Sequence, residues 1–258
     1  MKKTSRKTRN RSEKPERASA QDIRRRPGFS RELAVLYEDD AVVVLDKPPG
    51  LLAVPIKGSK TPSALSLLSA ALKLRKQRAL VVHRIDRFTS GILLFAKTDS
   101  DRENLVRQFL AHTPIRQYLA VLRGHLDVQA ETLVHYFRRE GMFQQLRTAK
   151  DPIATRAELR YSVERDLVDA SLVRVELETG LQNQIRVQFS AIGHPVVGDR
   201  KYHPAESSEQ LIARVALHAA HLEFVHPRSG EKVSIDCEPP ADFQYLVTEL
   251  SQTGRPRR

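Results

Sequence analysis

The sequence predicts an α+β fold, and three features of its 258 residues support that prediction. Short apolar runs rich in β-branched residues, such as residues 41–45, are typical of buried strands. Between such runs lie segments with apolar residues at helical spacing, such as Leu65, Leu68 and Leu72. The length and the hydrophobic content of 40% are sufficient for a buried core. We therefore expect one folded domain over residues 29–250.

The basic charge is concentrated at the start of the chain. Residues 1–31 contain 12 Lys and Arg against 3 Asp and Glu, which accounts for +9 of the net charge of +12. Because residues 1–28 hold few apolar side chains, we predict a disordered basic arm there, and a short basic tail at 251–258. The arm suits an electrostatic tether to RNA, and a solubilising tail is the alternative.

Composition excludes several classes of protein. No apolar run approaches the roughly 18–20 residues of a membrane span, and no hydrophobic segment follows the N-terminal charges as in a signal peptide. The single cysteine, Cys237, rules out an internal disulfide, and no Cys and His residues have zinc-site spacing. The histidines His218, His221 and His226 are expected to be structural, without a metal. A cytoplasmic protein fits this composition.

The strand predicted at residues 41–45 ends in a turn that carries a lysine. The prolines and the glycine of residues 46–50 force the chain to turn. Lys47 is expected at the rim of this turn, where it is either solvated or within reach of a phosphate. Thr61 and Pro62 then predict the start of a helix.

Residues 83–91 place one carboxylate, Asp86, between Arg84 and Arg87. Strands are predicted on both sides, so this polar segment is a loop held between two core elements. Rigid strands that hold a charged loop are a common way to build a reactive site. The alternative is a turn in which Asp86 caps a backbone amide while both arginines face solvent. The residues alone favour that structural alternative.

The middle of the chain continues the alternation of helices and strands. A capping box beginning at Ser100 predicts a helix. The next strand carries Tyr118 on its apolar face, where a core tyrosine is the plain interpretation. Residues 125–155 are polar and poorly periodic, which predicts a surface excursion. Two more strands, at 156–163 and 171–178, follow it.

Residues 178–199 form a second informative segment. Ile185, Phe189 and Ile192 make a helical stripe, and Arg186 lies off that stripe in the first turn. A cation is locally unfavourable at the positive end of a helix, but the two positive charges together make a site for a carboxylate or a phosphate. The placement of Arg186 therefore indicates a function.

The segment His-Arg-Ile-Asp-Arg-Phe-Thr-Ser-Gly at 83–91 resembles the His-Arg-Leu-Asp-Arg-x-Thr-Ser-Gly signature of the RluA family of pseudouridine synthases. The resemblance covers roughly residues 33–245 and includes Lys-Pro-x-Gly at 47–50, the strand with Tyr118, Gln-Ile-Arg at 184–186 and Gly-His-Pro-x-x-Gly-Asp at 193–199. It implies the compact form without an N-terminal S4 module. The implied fold is a bent, mostly antiparallel mixed sheet with a central cleft. The implied reaction is isomerisation of uridine to pseudouridine in structured RNA, ribosomal or transfer, without cofactor or metal.

The resemblance also implies roles for individual residues. Asp86 matches the catalytic aspartate, Tyr118 the tyrosine that packs on the target base, and Arg186 the arginine that pairs with the aspartate. Arg84 matches the arginine that helps to replace the extruded nucleotide in the RNA stack. The residues expected to contact RNA are Arg84, Arg87, Lys47 and Gln184.

The chain departs from the family pattern at residues 180–183, where Leu181 and Asn183 replace a basic residue and a histidine. Arg116 stands where the family more often has lysine. We expect these departures to change substrate contacts rather than chemistry. The alternatives are a non-catalytic RNA- or ribosome-binding protein on the same fold, and a glycosidase with paired carboxylates, for which Asp199 is the second candidate. RNA is the expected partner of a monomeric protein that binds no membrane.

Overall fold

The computed structural model describes residues 33–141, 143–203 and 211–251. The predicted arm at 1–28 and residues 252–258 of the predicted tail lie outside these ranges. Within them, the strands are β1 (Ala34–Glu38), β2 (Val42–Lys47), β3 (Leu80–Val81), β4 (Ser90–Ala96), β5 (Ile115–Arg123), β6 (Ala130–Glu140), β7 (Phe143–Arg147), β8 (Thr155–Leu167), β9 (Ala170–Leu177), β10 (Leu217–Val225) and β11 (Lys232–Asp236). The helices in the same ranges are α1 (Ala64–Lys73), α2 (Asp99–Leu110), α3 (Gln184–Ala191) and α4 (Ala241–Ser251).

All eleven described strands belong to one sheet. Its order is β1-β2-β4-β10-β5-β9-β8-β6-β7, with β3 paired to β4 and β11 paired to β10. Among these strands every pairing is antiparallel except that of β4 with β10, which is parallel. The predicted α+β fold with a mostly antiparallel mixed sheet is therefore confirmed.

The β2–β4 part of the sheet is covered on both faces. All seven residues of β4 are buried, and alternate side chains along a strand point to opposite faces. Leu93 and Phe95 pack in a cluster with α1, whereas Ile92 and Leu94 pack in a cluster with α2. A strand buried on both faces has a continuous apolar sequence, which is why this strand could be predicted.

The part of the sheet around β5, β8 and β9 is covered by α3 and α4. Ile185 and Phe189 of α3 and Phe243 and Leu246 of α4 share one hydrophobic cluster with these strands. Tyr118 of β5 packs against this cluster and also against the α2 cluster. Tyr118 therefore sits where the two parts of the core meet.

Two predicted helix starts are displaced by two residues. The cap of α1 is Ser63, whose hydroxyl accepts the Ser66 N–H at 3.1 Å while the Ser66 hydroxyl accepts the Ser63 N–H at 2.9 Å. The cap of α2 is Thr98 rather than Ser100, because Thr98 Oγ1 accepts the Asp101 N–H at 3.2 Å. Each helix start offers two hydroxyl residues two positions apart, and the sequence does not show which of them forms the cap.

Residues 125–155 are not the surface excursion that the sequence predicted. They include β6 and β7, which form a hairpin, and β6 also pairs with β8. Leu133 and Phe137 of β6 are buried, but Val134 of β6 and Phe143 of β7 are exposed. Apolar residues on both faces of the hairpin hide the alternating pattern, which explains the wrong prediction.

No helix in the described part of the chain has the length and apolarity needed to cross a membrane. Nor do the described residues bring together three or more His, Cys, Asp or Glu side chains that could share a metal ion. His218 is buried, with Nδ1 2.9 Å from the Ser90 hydroxyl and Nε2 2.8 Å from the Cys237 carbonyl oxygen. It is a structural residue that joins β4 to β10 and β11.

Candidate active site

The loop that carries Asp86 connects β3 to β4 and is fixed to the turn after β2. The Gly50 N–H donates to the Arg87 carbonyl at 2.8 Å, and Arg87 Nε donates to the Gly50 carbonyl at 2.8 Å. Within the loop, the Thr89 N–H donates to the Asp86 carbonyl at 3.2 Å. The Asp86 side chain remains 25% exposed and lines a cleft.

Lys47 lies inside the protein rather than at the rim of the turn. Its side chain is fully buried, and Nζ donates to the carbonyls of Pro48 at 2.9 Å, Leu51 at 3.0 Å and Arg87 at 3.1 Å. Burial lowers the pKa of Lys47 to about 7. The expectation that Lys47 contacts RNA is therefore wrong, and the residue instead joins the turn to the Asp86 loop.

The two ends of the signature segment are structural. His83 Nε2 accepts the Leu94 N–H at 3.1 Å, and the His83 ring stacks on Phe109 with centroids 4.6 Å apart. Burial lowers the pKa of His83 to about 3, so the ring is neutral and its proton is on Nδ1. Gly91 has a φ of +102°, and a Cβ there would lie 2.2 Å from the Ala219 carbonyl oxygen. Glycine is therefore required where β4 meets β10.

Arg186 lies in the first turn of α3, where it meets two carboxylates. Its Nε and Nη2 donate to the two oxygens of Asp199, each at 2.7 Å. Its Nη1 lies 3.4 Å from Asp86 Oδ2. The structure thus brings Asp86 and Arg186 together. The fork on Asp199 fixes the guanidinium plane and directs Nη1 towards Asp86.

Burial and the ion pair shift the pKa values of Arg186 and Asp199 in opposite directions. Burial by itself would lower the pKa of Arg186 and raise the pKa of Asp199. The charge-assisted bonds outweigh burial, so the pKa of Arg186 is raised and the pKa of Asp199 is lowered. Asp199 also accepts the backbone N–H groups of Lys201 at 2.9 Å and Tyr202 at 3.1 Å. A carboxylate whose oxygens already accept all these hydrogen bonds is unsuited to be the second catalytic acid of a glycosidase.

The departures from the family pattern lie beside this pair. Asn183 has a φ of +55°, and its Oδ1 accepts from Arg186 Nη1 at 2.8 Å. Its Nδ2 donates to the Tyr202 hydroxyl at 3.2 Å. Leu181 packs against the small cluster that contains Phe137. Asn183 therefore helps to hold Arg186, so this departure touches more than the substrate contacts that we expected it to affect.

The side-chain amide of Gln184 forms its hydrogen bonds within the protein. Its Oε1 accepts from the Leu181 N–H at 3.0 Å and from the Thr179 hydroxyl at 2.9 Å, and its Nε2 donates to the Glu158 carbonyl at 3.0 Å. The residue is only 2% exposed. Gln184 lines the cleft, and its side-chain amide fixes the approach to α3, so its expected contact with RNA stays a prediction.

Tyr118 lines the same cleft as Asp86 and Arg186. Burial raises the pKa of its hydroxyl, while the nearby charge of Arg116 opposes this shift and that of Asp86 adds to it. The resting side chain is therefore a neutral phenol at neutral pH. The three residues predicted to be catalytic thus line one cleft.

The cleft has a volume of about 620 Å³, within the range of small-ligand sites. Arg84 is exposed and lines it, whereas Arg87 is exposed outside it, with its Cζ 5.3 Å from the Phe88 ring centroid. Arg139 of β6 and Arg156 of β8 also line the cleft. These two arginines were not predicted because β6 has no clear pattern in the sequence, and the pairing of β6 with β8 is what places them there.

Known proteins resemble this chain in sequence and in fold. The sequence model of the family described as RNA pseudouridylate synthase matches residues 41–191. The chain is 36% identical over 235 residues to ribosomal large subunit pseudouridine synthase D of Zymomonas mobilis, covering 86% of this chain and 74% of that protein. It is 32% identical over 226 residues to ribosomal large subunit pseudouridine synthase C of Vibrio cholerae, covering 86% and 70%. Human RNA pseudouridylate synthase domain containing 4 shares the fold, with a TM-score of 0.70 at 21% identity over 84% of this chain and 92% of that one.

The matched span includes the elements that form the cleft, namely the Asp86 loop, β5 with Tyr118, and α3 with Arg186. The similarity to the two bacterial proteins extends over most of this chain and most of each relative. The chain therefore belongs to the family of RNA pseudouridine synthases.

Proposed function

We propose that this RNA pseudouridine synthase isomerises uridines in the RNA of the large ribosomal subunit, with Asp86 as its catalytic carboxylate. The observation that carries the proposal is that Asp86, Tyr118 and Arg186 line one cleft, with Arg186 Nη1 3.4 Å from Asp86. The choice of ribosomal RNA is supported by the names of the bacterial relatives. No contact among the described residues of the site favours the non-catalytic alternative.

The reaction breaks the bond between C1′ of the ribose and N1 of uracil and forms a bond between C1′ and C5. The C5 hydrogen leaves as a proton, and N1 gains one. A carboxylate can engage the sugar or the base without an activating general base. Arg186, held by Asp199, supplies a fixed positive charge beside Asp86. Tyr118 supplies a ring for stacking on the base and a neutral hydroxyl for proton transfer.

A uridine within RNA structure has to leave its stack to reach Asp86. Flipping a base costs a few kcal/mol, and a protein side chain that fills the gap offsets part of this cost. Arg84 is exposed at the cleft, two residues from Asp86, which supports this role for its side chain. Arg139 and Arg156 add positive charge at the same cleft for the RNA phosphates.

Asp86→Asn tests the assignment because it keeps the shape of the side chain and removes its charge. We expect tritium release from C5-labelled ribosomal RNA to fall by at least about 1000-fold, while the affinity for RNA stays within about threefold. Asp166→Asn, at an exposed acid on β8, is the matched control and should turn over like the wild type. Wild-type turnover by Asp86→Asn would contradict the role given to Asp86.

The substrate is tested by mapping pseudouridines in ribosomal and transfer RNA from cells with and without the gene. We expect a pseudouridine to disappear from the large-subunit RNA. Loss confined to transfer RNA would overturn the choice of ribosomal RNA and leave the assignment of Asp86 intact.

We also propose that the enzyme acts as a monomer in the cytoplasm. Asp86, Tyr118 and Arg186 of a single chain line the cleft together, which supports a monomer. Light scattering of the purified protein should give the mass of one chain, and a dimer mass would reject the monomer.

A further inference from the structure

Arg116 is a buried cation at the wall of the cleft. It lies on β5 two residues before Tyr118, so both side chains project from the same face of the strand. The residue is 8% exposed, and its Nε is buried without a hydrogen-bond partner among the described residues. Its Nη2 donates to the Leu177 carbonyl at 3.2 Å. The guanidinium therefore retains donors that the described protein does not use.

The surroundings of Arg116 do not neutralise its charge. Its Cζ lies 5.8 Å from the centroid of the Phe109 ring, which is a weak partner. Of the two acidic groups close enough to act on Arg116, Tyr118 is a neutral phenol, and Glu178 forms its ion pair with the exposed Arg160. Burying a charge without a counter-charge is costly. An anionic ligand would offset this cost.

Gly180 keeps space for the guanidinium. A Cβ at this position would lie 2.6 Å from Arg116 Nη1. Gly180 is not among the glycines with a positive φ, so the backbone does not require glycine there. Gly180 thus leaves room for the guanidinium in its present position.

We infer that Arg116 is a substrate-binding residue that holds a phosphate of the target nucleotide. This inference rests on the proposed function, because it takes the base to lie against Tyr118. RNA brings one anionic phosphate with each nucleotide, and a guanidinium is well suited to phosphate oxygens. Two residues along a strand span about 6.7 Å, so a base against Tyr118 has its own backbone close to Arg116. Nη1 is the donor assigned to the phosphate, since Nε is buried and Nη2 donates to the Leu177 carbonyl.

Arg116→Gln tests this role in the full-length enzyme. We expect KM for ribosomal RNA to rise about tenfold to a hundredfold, as for loss of a charge-assisted phosphate contact, with kcat within about threefold. Arg116→Lys keeps the charge and should recover part of the loss. Arg174→Gln, on β9 and paired with Glu164 away from the cleft, is the control that should leave KM unchanged.

Small ligands show whether Arg116 binds the phosphate or the base of the nucleotide. Uridine, uridine 5′-monophosphate and uridine 3′-monophosphate are compared as competitive inhibitors of the wild type and of Arg116→Gln. The mutation should weaken one or both monophosphates at least about fivefold and leave uridine unchanged. Equal weakening of uridine and the monophosphates, or a fall in kcat with unchanged KM, would overturn the phosphate assignment.

Gly180→Ala gives a second variant that leaves Arg116 in the chain. Its Cβ should displace the guanidinium and raise KM in the same direction as Arg116→Gln, and thermal unfolding of each variant shows whether the fold is kept. Unchanged KM in both folded variants would reject the inference. An active Asp86→Asn would instead reject the proposed function, so the two failures are distinguishable.

Discussion

Lys47 ties two segments of the chain together at the residue scale. Its ammonium donates to carbonyls of the turn after β2 and to the carbonyl of Arg87 in the loop that carries Asp86. Because the group is buried, its charge is also less stable there than in the unfolded chain. The stability of the protein should therefore depend on the protonation of this one amine.

This dependence can be measured by comparing the wild type with Lys47→Met. The pKa of Lys47 is about 7 in the folded protein and near 10.4 in an unfolded chain. Between these values the unfolded chain binds a proton that the folded protein has released, so the contribution of Lys47 to stability increases as the pH rises. The wild type should gain about 2–3 kcal/mol over Lys47→Met between pH 7 and pH 9 in urea unfolding.

Lys57→Met, at an exposed lysine, is the control and should follow the wild type at every pH. A difference between the wild type and Lys47→Met that stays constant from pH 7 to pH 9 would mean that Lys47 remains charged when buried.

The site could be predicted from the sequence because its segments resemble the motifs of a known family, whereas Asp86 and Tyr118 taken singly had favoured structural interpretations. The predicted residues Asp86, Tyr118 and Arg186 lie in one cleft. Lys47 was predicted to contact RNA, but it is buried, with a partner in another segment of the chain. A sequence shows which side chains are polar, and only the fold shows which of them are already satisfied.

At the scale of the element, the cap of α2 gives a sharp test of a corrected prediction. Thr98→Ala removes the hydroxyl that accepts the Asp101 N–H, and should lower the free energy of unfolding by about 1 kcal/mol. Ser100→Ala, at the position that the sequence suggested, should change it by less than about 0.5 kcal/mol. Chemical denaturation of the two variants measures the difference, and the opposite ranking would restore Ser100 as the cap.

The elements that were predicted correctly have a clear periodicity. The strand β4 is apolar throughout because helices cover both its faces, and α3 shows its stripe because one face packs on the sheet. The hairpin of β6 and β7 was missed because apolar residues on both of its faces hide the alternation and few of its side chains are buried. It is joined to the rest of the sheet by the backbone pairing of β6 with β8. Backbone hydrogen bonds leave no pattern in a sequence.

At the scale of the whole molecule, we propose that the basic arm at residues 1–28 strengthens RNA binding by long-range electrostatic attraction to the phosphates. If about five of its charges neutralise phosphates of single-stranded RNA, the affinity falls with salt at a log–log slope of roughly −3.5, or about a hundredfold between 50 and 200 mM. Deleting residues 1–26 should weaken binding at low salt and flatten this slope, as measured by titration with labelled RNA.

A variant with every Lys and Arg of residues 1–26 replaced by Gln keeps the length of the arm and should behave like the deletion. If both variants keep the wild-type salt slope, the arm serves solubility alone.

The position of β10 in the sheet sets the order in which parts of the protein can assemble during synthesis. This strand comes late in the chain, yet it lies between β4 and β5 and joins the two sides of the sheet. Asp86 precedes β4 on one side, and Arg186 follows β9 on the other. Because a chain is synthesised from its N-terminus, neither side can dock on the other until β10 has emerged. Asp86 and Arg186 therefore come together only after β10 has been synthesised.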